Sequence, residues 1–380
     1  MNKHLHIISF TVPYPVNYGG VFDLFYKLKA LNNAGIQIHL HCYEYGQGEQ
    51  DELKKYCSSV HYYKRKTGHK GLTLRYPYIV SSRSCNHLKE NLLQDDYPIL
   101  MEGIHSSFLI RDYLFKDRKI FVRLHNVEHL YYKQLASTEK NIFKKIYYWF
   151  ESFQLKKYEQ SIANKVVFLS VCKNDIDYYK HHYNCRQVEY IPLFIPEWKV
   201  NCKEGIGNYC MYQGNLKVAE NKKAVYWLLN KVFNKLETPF VIAGNEPSKK
   251  LIAKAHSKNF TCITPNPKEE EMQDMIYKAH IHVLPSFNNT GIKLKLINVL
   301  YNGRHCIVNS QAVTGTGLES ACHISDSAEG FQNLIAQLYH QPFTEDEIIL
   351  RKKILEDHFN NKKNVEILIK KIFTEPYATT

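Results

Sequence analysis

Short apolar runs rich in β-branched residues lie at His4–Phe10, Ile36–Tyr43, Pro98–Glu102, Ile120–Leu124, Ala163–Ser170 and Val188–Ile195. Between the first two, apolar positions recur at helical spacing through Val21, Leu24, Phe25, Leu28 and Leu31, and Asn33-Ala-Gly35 closes that helix. Strands alternating with helices predict βαβ units and a parallel sheet covered on both faces. The pattern restarts at Tyr209–Gly214 and continues through Phe240–Gly244, Phe260–Thr264, Ile281–Leu284 and a strand from Cys306. Helices are expected between these strands at Asn221–Phe233, Ser248–His256 and Glu269–Ala279. The prediction is an α/β chain of two doubly wound, Rossmann-like domains, residues 1–200 and 207–345. The polar, irregular stretch Glu197–Gly207 forms the boundary, and residues 346–380 form a Lys- and Glu-rich helical tail.

Two stretches break the alternation. His61–Ser84 is rich in Tyr, Lys and Arg, which fits an acceptor or membrane loop, or a surface excursion packed by its own tyrosines. Asn141–Asn164 is a long helix that mixes Lys144, Lys145, Lys156 and Lys157 with Tyr147, Tyr148, Trp149, Phe150 and Phe153. Basic plus aromatic suits a helix lying at a membrane interface; a domain helix with its aromatics buried gives the same pattern.

A net charge of +13 with 28 Tyr and 19 Phe points to an anionic partner. The lysines are dispersed, so nucleic acid is not expected; phosphorylated small molecules and an anionic membrane surface fit better. The ten cysteines form no Cys-x-x-Cys pair and read as free thiols of a reducing compartment. Met1–Phe10 lacks the apolar core of a signal peptide, and no apolar run reaches the roughly 20 residues of a membrane span. The expectation is a cytoplasmic protein, with membrane association on the cytoplasmic face left open.

The densest candidate chemistry lies in Pro285-Ser-Phe-Asn-Asn-Thr-Gly-Ile-Lys-Leu-Lys-Leu-Ile-Asn-Val-Leu-Tyr-Asn-Gly303. A strand ends just before it. A polar loop with Gly291 leads into a helix whose start carries Lys293 and Lys295. Free N–H groups, the positive end of the helix dipole and a lysine suit a phosphate oxygen; a solvated surface lysine is the plain alternative. Lys293 is first choice and Lys295 second, because residues two apart on a helix do not face the same way. Other candidates are Gly19 and Gly20 at the first strand-to-helix turn, and His125 with Glu128 after the strand ending at Leu124. A histidine there sits where α/β sheets bind ligands, or serves the fold alone. Glu128 either positions substrate or favours the start of the next helix.

The run 285–303 resembles the donor segment of GT-B glycosyltransferases of group 1 (family 4 and relatives). Pro13-Tyr-Pro-Val-Asn-Tyr-Gly-Gly20, His125-Asn-Val-Glu128 with Tyr131-Tyr132, and Gly214-Asn215 resemble further loops of that family. The resemblance covers most of the chain and implies the GT-B arrangement, two Rossmann-like domains facing a cleft. It also implies hexosyl transfer from a nucleoside-diphosphate sugar to a glycan or lipid-linked glycan in surface polysaccharide synthesis, with retention. No Asp-x-Asp pair in strand context is visible in the sequence, so no metal or other cofactor is expected. It places His125 near the donor sugar, and Gly19 and Gly20 on the cleft. Donor contacts would come from Gly214, Asn215, Thr264, Asn266, Thr290, Gly291, Ile292, Lys295 and Asn298, and the 346–380 tail would cross back to the first domain. Many relatives carry two glutamates where this chain has Thr290 and Asn298, and an arginine and a lysine where it has Asn215 and Asn221; Lys222, Lys293 and Lys295 are the charges at hand. An inverting enzyme would need a carboxylate base, for which Asp23, Glu102 and Glu128 are candidates. A sugar-nucleotide epimerase, or a sugar-nucleotide-binding protein without transfer activity, is the alternative.

Overall fold

The computed structural model describes residues 3–16, 19–288 and 291–377. The chain divides into two units: residues up to Glu197 together with Phe359 onward, and Trp198–His358.

The first unit holds a seven-stranded parallel sheet. Its strands are β1 (His4–Ser9), β2 (Gln37–Glu44), β3 (Ser59–Lys64), β4 (Ile99–Glu102), β5 (Ile120–Leu124), β6 (Val167–Ser170) and β7 (Val188–Tyr190). They run in the order β3-β2-β1-β4-β5-β6-β7. The order reverses between β1 and β4, so a crevice opens beyond the carboxyl ends of those two strands. One face is packed by Leu24, Phe25, Leu28 and Leu31 of the Gly19–Asn33 helix with Val365, Leu368 and Ile372 of the C-terminal segment. The other face is packed by Leu155, Tyr158, Ile162, Tyr179 and Tyr183 of two later helices.

The second unit repeats the design with six parallel strands: β8 (Cys210–Gln213), β9 (Phe240–Gly244), β10 (Thr261–Pro265), β11 (Ile281–Val283), β12 (His305–Val308) and β13 (His323–Ile324). Their order is β10-β9-β8-β11-β12-β13, with the reversal between β8 and β11.

Two differences from the sequence reading have physical causes. Strand β3 falls across the weakly patterned region because it is an edge strand with one buried residue, Tyr63. The 346–380 tail is not one helix. Glu345–His358 stays in the second unit, where buried Arg351 donates to the carbonyls of Gly303 and Arg304. The chain re-enters the first unit at Phe359. There Asn360 caps the Asn361–Ile369 helix, and Asn361 exchanges hydrogen bonds with the backbone of Ile195.

The long basic and aromatic helix, for which two readings stood open, spans Ile142–Ile162, and Asn141 caps it by accepting from the N–H groups of Phe143 and Lys144. Its aromatic stripe is not buried. Ile142, Phe143, Ile146, Trp149, Phe150 and Phe153 are exposed, Phe143 by 80% and Trp149 by 64%. The buried face includes Glu151 and Glu159 instead. Their carboxylates accept backbone N–H groups, Glu151 from Tyr78 and Ile79 and Glu159 from Glu128. No helix among the described residues is long and apolar enough to cross a membrane.

Candidate active site

In the second unit the loops after β8 and β11 meet at the reversal point. Lys295, in the first turn of the Leu294–Asn302 helix that follows β11, reaches back across it. Its Nζ donates to Tyr212 Oη on β8 at 2.9 Å and to Asn221 Oδ1 on the Ala219–Trp227 helix at 3.0 Å. Tyr212 also donates to Asn221 Oδ1 at 3.0 Å, and Asn221 Nδ2 returns to the carbonyl of Asn215 at 2.9 Å. Burial lowers the Lys295 pKa to about 8; Glu220 opposes the drop and Lys293 adds to it. A second bridge runs parallel: Ser286 Oγ donates to Glu220 Oε1 at 2.7 Å. Asn309, after β12, locks the Ser286 backbone through both its amide groups at 2.8 and 2.7 Å.

Gly291 sits at φ +64°, in the left-handed region. It turns the chain into the helix start, where the first-turn N–H groups and the dipole present positive charge. Lys293 is the N-cap residue, in extended conformation (φ −93°, ψ 101°). The spacing argument for choosing between Lys293 and Lys295 took both to lie on the helix, whereas Lys293 precedes it at the N-cap.

Gly214 and Gly244 meet backbone to backbone. A Cβ on Gly244 would lie 1.8 Å from the Gly214 carbonyl oxygen, and one on Gly214 would lie 3.2 Å from the Asn221 amide. Asn266 adopts φ +51°; its N–H donates to the Gly244 carbonyl and its Oδ1 accepts from Glu246 N. Thr264 lies half-buried on the edge strand β10. Lys295, Asn215, Gly214 and Asn266 thus form one connected arrangement through Asn221 and Gly244. Asn298 stands apart from it, its Oδ1 accepting from Asn302 at 2.8 Å. Ile292 is half-buried in the turn between Gly291 and Lys293. Thr290 lies outside the described residues.

In the first unit, the reversal point holds a buried charge cluster. Lys27 Nζ lies 3.0 Å from Asp23 Oδ2 and 2.6 Å from Glu102 Oε1. Arg123 grips Asp23 through two nitrogens at 2.9 and 3.1 Å and donates to the carbonyls of Ile191 and Pro192. His125 Nε2 meets Glu102 Oε2 at 3.1 Å. Burial would raise the carboxyl pKa values, but Arg123 and Lys27 hold Asp23 far below the usual range, and Lys27 and His125 hold Glu102 below it. His125 Nε2 thus faces an ionised carboxylate. Gly20 lies in the first turn of the helix that supplies Asp23 and Lys27; of Gly19 only its place at that helix start is described.

Asp23, Glu102 and His125 bring one ligand atom each within 4.8 Å of one another. A divalent ion does not fit this set, because the Lys27 ammonium already occupies the space between both carboxylates. Glu128 is the first residue of the Glu128–Thr138 helix and is buried. Burial, and then the Glu159 carboxylate, raise its pKa to about 8. The carboxylate that caps that helix is Glu159, which accepts from Glu128 N at 2.9 Å and from His129 Nδ1 at 2.9 Å.

The sequence reading missed Lys27, Tyr212, Glu220 and Glu159 as parts of these sites. The available signal was a charged residue inside an apolar pattern: Asp23 and Lys27, four apart, share the helix face of Leu24 and Leu28.

Sucrose-phosphate synthase from Thermosynechococcus elongatus superposes on this structure with a TM-score of 0.70 over 98% of this chain and 99% of that chain, at 12% identity. The fold is GT-B. WaaG, a glycosyltransferase involved in lipopolysaccharide biosynthesis, matches at TM-score 0.65 and 12% identity, covering 98% of this chain and 100% of its own. Anabaena HepE, solved in complex with UDP and glucose, matches at 0.64 and 8% identity over 97% and 100%. In sequence, an uncharacterised 44.6 kDa protein in the cps region of Klebsiella pneumoniae is 28% identical over 381 residues, covering 94% of this chain and 91% of that protein. No family model matches. Both sheets of this GT-B chain have their reversal points where the candidate residues cluster.

Proposed function

We propose that the chain is a glycosyltransferase that binds a nucleoside-diphosphate sugar in its second unit and passes the sugar to an acceptor held by its first. The observation that carries this is the amine of Lys295, fixed by Tyr212 and Asn221 at the β8/β11 reversal point beside the Gly291 turn. An ammonium has three donors; two go to Tyr212 and Asn221, and the third is for a diphosphate oxygen. Negative charge grows on the leaving diphosphate as the glycosidic bond breaks. A preorganised cation and a helix N-terminus stabilise it there without further reorganisation.

A retaining route, in which the leaving phosphate takes the acceptor proton, is favoured by the state of the carboxylates. Asp23 and Glu102 are ion-paired and buried, and Glu128 is a buried acid. None is a solvated base. Metal-independent transfer is part of the same proposal.

A surface polysaccharide as product is supported by the Klebsiella relative in a cps region. A lipid-linked acceptor is supported by the Ile142–Ile162 helix. Its exposed aromatic and aliphatic stripe lies among Lys140, Lys144, Lys145, Lys156 and Lys157, a composition suited to an anionic bilayer surface. Binding without transfer is the second reading, favoured by the Asn298 side chain being paired with Asn302.

The test is a thermal-shift panel with UDP, GDP, CDP and TDP, each with Mg²⁺ or EDTA, then turnover of the matching sugar nucleotides with lipid extracts. Stabilisation by one nucleotide in EDTA, followed by transfer, supports the reading. Stabilisation without turnover supports the second, and no response to any nucleotide overturns both.

A further inference from the structure

A second cluster lies in the Trp198–His358 unit, away from the β8/β11 reversal point. His305 opens β12 and is 2% exposed. Its Nε2 lies 3.1 Å from the carbonyl of Gln341, and its Nδ1 lies 3.3 Å from Glu347 Oε1. Both neighbours are acceptors. A neutral imidazole has one N–H, so whichever nitrogen carries it, the other faces an oxygen lone pair. Glu347 cannot turn away freely. Its Oε2 accepts from the N–H and hydroxyl of Thr344 in a capping box at the start of the Glu345–His358 helix. Protonating the ring would satisfy both contacts, but a ring only 2% exposed is poorly placed to hold a charge. The Nδ1 atom is buried and makes no hydrogen bond among the described residues.

His323, the first residue of β13, completes the group. One ligand atom each from His305, His323 and Glu347 lies within 4.8 Å of the other two. A tetrahedral zinc with ~2.0–2.1 Å bonds to nitrogen and oxygen has ligand atoms ~3.4 Å apart, and the His305–Glu347 contact already has that length. A small cavity of about 60 Å³ opens beside them, lined in part by Cys322, His323, Glu347 and Arg351, with room for a water as fourth ligand. The side chains whose ligand atoms converge are His305, His323 and Glu347, and Cys322 is not among them. The Arg351 guanidinium opposes a cation, but it is drawn toward Gly303, Arg304 and the Phe343 ring.

We propose that His305 Nδ1, His323 and Glu347 form a structural site for a borderline divalent cation, Zn²⁺ above all. The Gln341 carbonyl would fix the His305 ring in the ligating tautomer. Such an ion would clip edge strand β13 and the Glu345–His358 helix to β12, stiffening the last helix before the chain returns to the first unit at Phe359.

The test is Zn²⁺ added to the EDTA-treated full chain, read by calorimetry and thermal unfolding, with Co²⁺ as spectroscopic probe. One Zn²⁺ per chain, a rise in Tm of a few degrees and tetrahedral Co²⁺ bands without thiolate charge transfer are expected. His323→Ala and Glu347→Gln should each weaken binding by about tenfold or more and leave the Tm of the metal-free protein near wild type. Absence of Zn²⁺ binding, a thiolate band, or unchanged affinity in both variants would overturn the site.

Discussion

Replacing Lys295 with Met separates fold stability from ligand binding. The side chain keeps its length and loses its charge. In the folded chain its pKa is about 8, well below that of an unfolded lysine, ~10.4. That gap amounts to ~3 kcal/mol working against the ammonium near neutral pH. The sign follows from proton counts. Between about pH 8 and the unfolded value, the unfolded chain holds a proton that the native state has lost, so stability rises with pH across that window. Below about pH 8 the native state bears the full cost. Lys295→Met should therefore be as stable as wild type or more so near pH 7, and should lack the alkaline rise. Binding runs the other way. A charge-assisted contact to an anion contributes about 1.5–3 kcal/mol, so the variant should lose roughly 10- to 150-fold in affinity. Wild-type affinity should also fall as pH passes about 8, where the ammonium is lost. Inorganic pyrophosphate, alongside the four nucleoside diphosphates, reads this without depending on the base. Urea denaturation and calorimetry from about pH 6.5 to 9.5 supply both curves. Pyrophosphate binding that is equal in variant and wild type, and flat across pH 8, would falsify the assignment.

Other positions give independent checks. Glu102→Gln leaves Lys27 short of a charged partner in a buried setting and should cost about 3–5 kcal/mol in urea denaturation; a loss under about 1 kcal/mol would mean the cluster is better solvated than its geometry implies. Gly244→Ala drives a methyl into the Gly214 carbonyl and should both lower Tm and abolish diphosphate stabilisation, so a variant with wild-type response would rule out the close approach. Glu128, raised to about 8, contributes stability that is full below the ordinary carboxyl range and is lost as pH rises through about 8. Glu128→Gln should flatten that slope, and an unchanged pH–stability profile would contradict the buried acid. Phe143→Ser combined with Trp149→Ser removes apolar area that could insert at an interface, each side chain accounting for about 1.5–3 kcal/mol if fully buried. Co-sedimentation with phosphatidylglycerol vesicles should drop sharply while Tm holds, and undiminished sedimentation would remove the lipid surface as the occupant of that stripe.

The positions of most strands along the chain were legible because buried parallel strands read as apolar runs. β3 and the two-residue β13 escaped because edge strands bury too little to enforce alternation. The Gly291 turn and Lys295 were legible as a glycine and a lysine at a helix start. What Lys295 touches was not, since Tyr212 lies 83 positions away in sequence and only the sheet order brings it near. The Ile142–Ile162 helix shows the limit most plainly. Periodicity identifies the helix, but which stripe faces inward depends on the backbone N–H groups of Tyr78, Ile79 and Glu128, which lie on other elements and reward a buried carboxylate.

The Asp23–Lys27–Glu102–Arg123 cluster also constrains how this protein can change. Two acids and two bases share one dry space, so losing any single one of the four charges unbalances it. Any lone exchange leaves a stranded ion, and a lineage reaches a different composition here only by passing through a weakened intermediate or by altering two positions at once. Random mutagenesis should find these four sites silent to single improvement. A paired exchange such as Lys27→Met with Glu102→Gln belongs to a different class, because it removes one charge of each sign and keeps the balance.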